Sequence, residues 1–185
     1  PPAARKRCLT EAGGYLICML DCDDVQPPHC LTTLKRSFEQ DAQVEIVIGK
    51  SQLVTSVQLR DDGSYDVDAI SEPFHTFAFG AALVRTDVFE KVGSFDETAA
   101  YCDDLDWFMR AREAGCRIEF IGDTVLYYRI HRNNLTRDRA ASMHGMLKML
   151  HGSLKRRKEQ GEEADLPRLG IDNRLQIEKI RDSGR

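Results

Sequence analysis

An apolar run, Tyr15–Leu20, lies between two glycines and an acidic turn, Asp21-Cys22-Asp23-Asp24. A run without polar alternation, bounded by turn residues, reads as a strand buried on both faces, as in a parallel sheet. Its surroundings fit that reading. Residues Ala3–Ala12 have helical character, and Gly13-Gly14 ends the helix. Pro27-Pro28 opens a second helix, His29–Gln40, with proline at a favoured early position. Val44–Ile48 is a second buried strand. The order helix, strand, helix, strand predicts an α/β fold.

The rest of the chain continues the pattern. Ser51–Asp68 alternates and contains Asp62-Gly63, which predicts a hairpin. Phe74–Arg85 is apolar and includes Gly80; Thr86–Val92 reads as a short helix capped by Thr86. Asp103–Ala114 is a strong helix closed by Gly115, followed by strands at Arg117–Ile121 and Val125–Ile130. A long helix is expected from Leu135 to Gln160, with Met143, Leu147, Leu150 and Leu154 as a narrow apolar stripe. Glu162–Asp165 reads as an acidic linker, and the last twenty residues are polar and weakly amphipathic.

A chain of 185 residues suits one domain with a helical appendage. It can bury roughly 70% of its unfolded surface, so the core needs neither metal nor disulfide. The six cysteines form no CxxC pair and no zinc pattern, and are expected to be free thiols, mostly buried. Free thiols point to a reducing compartment, hence a cytoplasmic location. The net charge of −4 disfavours non-specific nucleic-acid binding. No signal peptide and no spanning segment is visible, so a soluble protein is expected, with peripheral membrane contact open.

Two acidic clusters carry the chemistry. In open α/β sheets, ligands bind beyond the carboxyl ends of the strands, where Asp21, Asp23 and Asp24 fall. On extended backbone, side chains two apart point the same way, so Asp21 and Asp23 are expected to converge on one ligand. Crowded carboxylates repel, and a hard divalent cation relieves that cost. Mg²⁺ or Mn²⁺ would complete its shell with phosphate oxygens and water, so the cluster predicts a metal–diphosphate site. The competing reading is a solvated turn ahead of a helix. An EF-hand is disfavoured, because the loop lacks glycine at its sixth position and Pro27-Pro28 intrudes. A phosphatase using Asp21 as nucleophile stays open, although Val25 stands where such enzymes commonly have a small hydroxyl residue nearby. In the second cluster, Asp103, Asp104 and Asp106 begin a helix, where acids are favoured anyway. Asp104 shares a face with Phe108 and Ala111, and Asp106 is expected to face water. Asp104 is therefore the acid placed to serve a cleft as general base.

Three stretches taken in order resemble the GT-A glycosyltransferases of family 2. They are AARKRCLTEAGGYLICMLDCDDVQPP, FGAALVRTDVFEKVGSFDE and YCDDLDWFMRAREAGCRIEFIGDTVLYYRIHRNNLT, together spanning roughly Ala3 to Thr136. The resemblance implies a mixed sheet flanked by helices, incomplete at its N-terminus, with a C-terminal helical extension. Residues 1–136 would form the partial GT-A domain and 137–185 the extension. Asp21 and Asp23 match the DxD motif, implying roles at the donor's ribose or diphosphate and at the metal, and Asp24 matches the acid that follows. Asp103-Asp104 match a Glu-Asp pair whose second member is the general base of inverting transfer. Gly80 and Ala81 match the loop on the acceptor side, and Trp107 an aromatic position on the same helix as the base. Arg129 and His131 match a late Arg-x-His segment near the diphosphate or metal.

The implied partners are a nucleotide-diphosphate sugar donor, a sugar or lipid-linked acceptor and Mg²⁺ or Mn²⁺. The sequence departs from the family pattern in three ways. The first nucleotide-binding βαβ unit is missing, Lys6 follows Arg5 where asparagine is common, and Asp103 replaces glutamate. The first departure predicts a piece of a longer enzyme, or a gap covered by another chain or by the C-terminal helix, with self-association expected. It also leaves a catalytically silent binding or assembly module as an alternative.

Overall fold

The computed structural model describes residues 2–97, 101–134 and 138–161. Along these the elements are α1 (Pro2–Glu11), β1 (Leu16–Ile17), α2 (Cys30–Gln40), β2 (Ile46–Leu59), β3 (Tyr65–Ala69), β4 (Phe74–His75), a 3₁₀ turn (Phe79–Ala81), β5 (Ala82–Arg85), α3 (Thr86–Val92), α4 (Asp103–Glu113), β6 (Ile118–Arg129) and α5 (Arg139–Gln160). The expected linker at Glu162–Asp165, the C-terminal segment after it and the start of the last helix at Leu135 lie outside the described residues.

The sheet is organised around β2. One edge of β2 pairs with β6 in parallel, from Ile46↔Ile118 to Val54↔Arg129. The other edge takes β5, β4 and β3 in turn, all antiparallel. Strand β1 pairs with β5, also antiparallel. Two reversals of direction make β1 run the same way as β2 and β6. The loop after β1 and the segment after β6 therefore emerge at the same end of the sheet.

Several sequence expectations are revised. Tyr15–Leu20 contributes only a two-residue strand, its hydrogen-bonded neighbour is antiparallel, and Tyr15 and Leu20 are exposed. The strand expected at Val44–Ile48 begins at Ile46 and runs unbroken into the first arm of the hairpin, 14 residues in all. Arg117–Ile121 and Val125–Ile130 are likewise one strand, broken in register opposite Gly49. Thr86 does not cap α3: it is the first helical residue, and its hydroxyl donates to the Gly14 carbonyl at 2.6 Å.

Alternation in β2 feeds two cores. Ile46 and Ile48 face Val84, Phe79, Trp107 and Phe108, beneath α3 and α4. Val47 faces Leu83, Val125 and Leu34, beneath α2. The result is a three-layer α/β/α arrangement with a mixed six-stranded sheet, as the resemblance implies. The long α5 lies against α4 instead of the sheet. Arg156 donates to Glu113 at 2.6 Å, and Gly145 sits so close to Tyr101 that a Cβ there would lie 2.9 Å from the tyrosine Cβ.

Gly49 marks the tightest strand approach. A Cβ at this position would lie 2.5 and 2.8 Å from the two methyls of Val125 and 3.1 Å from the Asp123 carbonyl. Gly49→Ala is expected to lower stability by about 1–3 kcal/mol, because the register break in β6 leaves no room to relax. Urea denaturation of the two proteins checks this; equal midpoints would contradict it.

Candidate functional site

The anchor of the site is aromatic. Trp107 is 0% exposed, and its ring centroid lies 4.7 Å from that of Phe89 and 5.1 Å from that of Phe79. Its indole N–H donates to the Gly93 carbonyl at 2.9 Å. Phe108 stacks on Phe77 at 5.2 Å and approaches Phe79 at 4.8 Å. These contacts fix the rotation of α4. One turn earlier, Asp104 is then aimed at the 3₁₀ turn, where its Oδ2 accepts the Phe79 N–H at 3.1 Å. The residue before the helix, Cys102, is the one described non-glycine residue in the left-handed region, at φ 59°.

Of the two readings open for Trp107, core and wall of the acceptor site, its burial matches the first. Gly80 and Ala81 are also buried. The Gly80 carbonyl accepts from the Gln26 amide at 2.7 Å, and a Cβ at Gly80 would lie 3.1 Å from both Leu126 methyls. Both residues form the floor beneath Asp104. Asp106 does not face water either. Its side chain is enclosed because Arg110 holds it at 2.9 Å and Arg156 reaches over from α5 at 3.7 Å.

Arg5 on α1 joins the two acidic clusters. One guanidinium nitrogen lies 2.9 Å from Asp21 Oδ2. The other donates to Asp103 Oδ2 at 2.6 Å and to Asp104 Oδ1. The side chain is only 12% exposed, and its guanidinium carbon stands 5.8 Å from the centre of the Phe79 ring. One positive charge thus faces three carboxylates. Sequence inspection did not select Arg5 as a site residue. The available signal was the RKR stretch in the helix before β1, with Arg5 sixteen residues before the first acid.

Asp21 and Asp23 do not converge. Residues 21–24 form a turn, in which the Asp24 N–H donates to the Asp21 carbonyl at 3.2 Å, so the alternation of extended backbone does not apply. Asp21 turns to Arg5, whereas Asp23 turns to the segment after β6. There His131 Nε2 lies 3.0 Å from Asp23 Oδ2, and the Asp23 carbonyl accepts from Arg129 Nε. The His131 ring is held from behind, since the Asn133 N–H donates to Nδ1 at 3.2 Å. With Nδ1 acting as acceptor, the neutral ring carries its proton on Nε2 and donates it to Asp23. Asn134, also not selected from the sequence, closes the turn: its amide donates to the Arg129 carbonyl at 3.0 Å and its oxygen accepts the His131 N–H.

Asp24 is structural. Its Oδ1 accepts the Arg129 N–H at 3.0 Å, beside a backbone bridge between Val25 and Tyr127. Burial pushes its carboxyl up to about 7; Asp23 and Asp21 add to the rise, and the Arg129 N–H opposes it. Below the loop, the Cys18 thiol is lowered to about 7, chiefly by its hydrogen bond with Cys30 and also by the Gln26 amide, against burial. Of the six free cysteines only Cys30 and Cys116 are buried, fewer than expected.

A metal can be tested against these donors. Among the described residues, no group of three or more His, Cys, Asp or Glu side chains is disposed to hold an ion. Asp23 is partly open and has a free lone-pair direction; His131 would first have to give up its Nε2 proton. One carboxylate suits a cation that arrives with substrate phosphates and water, and does not suit a cage built from protein alone. Away from this end, a polar cleft of about 410 Å³ lined by Gln43, Glu45, Arg85, Asp87 and Arg117 opens at the start of β2.

No protein-family model matches the sequence, and no curated protein matches it. Among solved structures, the chain is similar to TarS of S. aureus, a glycosyltransferase, with a TM-score of 0.54 and 16% identity. The match covers 85% of this chain and 31% of the TarS chain, so the protein spans about a third of that structure's length. At this identity the likeness is one of fold: a mixed α/β, GT-A-like sheet flanked by helices.

The raised Asp24 carboxyl has a definite sign. Between about 4 and 7 the folded protein keeps a proton that the unfolded chain has lost, so this group's contribution favours folding at low pH and disappears as pH rises through that window. Asn at this position accepts the same N–H without ionising. Asp24→Asn should therefore gain stability over the wild type by about 1–2 kcal/mol more at pH 8 than at pH 4, after allowance for partial exposure. Urea titrations in chelator at the two pH values test this, and parallel curves would contradict it.

Proposed function

We propose that the chain forms the diphosphate and acceptor side of a glycosyltransferase that moves a sugar from a nucleoside-diphosphate donor to an acceptor hydroxyl, with inversion. The observation that carries this reading is Asp104. It stands at the carboxyl end of the sheet, oriented by the Phe79 N–H and by Arg5, and is joined through Arg5 to the acidic loop after β1. A carboxylate held by two donors on a rigid, aromatic-anchored helix has the fixed geometry a general base needs.

The roles follow from position. The acceptor oxygen would lose its proton to Asp104 and attack the anomeric carbon from the side opposite the diphosphate. The bond between that carbon and the diphosphate oxygen would break, and the nucleoside diphosphate would leave. Asp103 would steady the acceptor side together with Arg5, over the floor of Gly80 and Ala81, while Trp107 braces the helix from below. Asp21 and Arg129 would serve the donor's ribose and diphosphate. Asp23 would hold Mg²⁺ or Mn²⁺, with His131 as its neighbour. The cation would supply charge neutralisation on the departing diphosphate. A nucleophilic Asp21 is disfavoured, since both its oxygens accept from Arg5, at 3.1 and 2.9 Å.

Release of nucleoside diphosphate from a set of UDP- and GDP-sugars with Mn²⁺ tests the assignment. Asp104→Asn should slow release about 10²–10⁴-fold. Full activity in that variant would remove the base assignment. The second reading, a silent binding module, is favoured by the engagement of Asp21 and Asp104 with Arg5. Calorimetry with Mn²⁺ and a UDP-sugar separates the two; tight binding that depends on the metal counts against a silent module.

A further inference from the structure

Helix α5 has two distinct sides. One side is docked: Met149 and Ser153 are buried, and Arg156 pairs with Glu113 and Asp106 of α4. The other side carries Met143, Leu147, Leu150 and Leu154, which are 54, 58, 42 and 56% exposed. Their spacing of four, three and four residues keeps them within an arc of roughly 60°, along three helical turns. Beside this stripe stand His144, His151, Lys148, Lys155 and Lys158, all exposed. Across its 22 residues the helix has six lysines and arginines and one acid, Glu159, in a chain whose net charge is −4. Positive charge is thus gathered next to exposed leucines.

We propose that α5 is an interfacial helix that docks the protein on an anionic lipid surface. The Met143–Leu154 stripe would enter the boundary between headgroups and acyl chains, and Lys148, Lys155 and Lys158 would reach the lipid phosphates. No helix among the described residues is long and apolar enough to cross a membrane, so α5 lies in the plane of the surface. Charge decides between this partner and a second copy of the chain. Two α5 helices paired through their stripes would set lysines against lysines, with Glu159 as the lone acid of each. A lipid surface brings the missing negative charge. Because α5 is tied to α4, docking would hold Asp103 and Asp104 at a fixed offset from the surface. The inference stands whether or not the chain transfers sugars.

Co-sedimentation of the full chain with vesicles tests it, using phosphatidylcholine alone and phosphatidylcholine with 30% phosphatidylglycerol, about that fraction being enough for a strong surface field. The protein should bind the anionic vesicles at least tenfold more tightly than the neutral ones, and lose that preference in 0.5 M salt, about where screening falls below 5 Å. Leu147→Asn/Leu154→Asn should weaken binding at least tenfold, and Lys148→Gln/Lys155→Gln about twenty-five-fold, each lysine counting for roughly fivefold. Both pairs are exposed, so unchanged thermal unfolding should accompany the loss. Met143 gives an independent readout: its oxidation by peroxide should be fast in free protein and slowed by anionic vesicles. Equal binding of wild type and both variants would overturn the proposal. So would a Met143 already protected without vesicles, which would mean that another part of the chain covers the stripe. A dimer in sedimentation that Leu147→Asn/Leu154→Asn disperses would overturn it in favour of a second copy.

Discussion

The contact on which the site depends is the guanidinium of Arg5 among Asp21, Asp103 and Asp104. Three carboxylates from two distant parts of the chain would repel one another at this range. A single cation that is only 12% exposed turns that repulsion into a link between α1, the loop after β1 and the start of α4. The link has a cost, because Arg5 Nε is buried without a partner. Part of that cost is offset by the face of Phe79, over which the guanidinium lies. Removing the cation would leave partly buried carboxylates with little to balance them, a far larger loss than that of an exposed ion pair.

Around this link the fold supplies direction and rigidity. Because β1, β2 and β6 run the same way, two acidic or basic loops distant in sequence meet at one end of the sheet. The aromatic group of Phe79, Phe89, Trp107 and Phe108 fixes the rotation of α4, and with it the aim of Asp104. From the far side of α4, Arg156 and Gly145 bring α5 into contact. Stiffness at the base and charge at the rim are thus properties of a single helix.

Much of this was legible in the sequence, and the rest for physical reasons was not. The α/β order followed from apolar runs and glycine or proline punctuation, and the acids at Asp21–Asp24 and Asp103–Asp104 stood out by their spacing. The length of β2 was hidden, because its outer half alternates like a separate hairpin arm. The divergence of Asp21 and Asp23 was hidden as well, since side-chain period depends on backbone conformation and residues 21–24 turn. Asp106 was misplaced because a wheel drawn for one helix does not know that α5 will cover its outer side. Arg5 escaped notice because the RKR stretch does not mark which of its three cations distant carboxylates will enclose.

The central claim, that Arg5 couples the base-bearing helix to the acidic loop, is open to a double-mutant cycle. Arg5→Gln, Asp104→Asn and the double variant, unfolded in urea beside the wild type, give the coupling energy directly. The account predicts a favourable coupling of about 1.5–3 kcal/mol, as for a hydrogen-bonded charge pair shielded from water. A coupling below about 0.3 kcal/mol, within the additivity of independent sites, would contradict it.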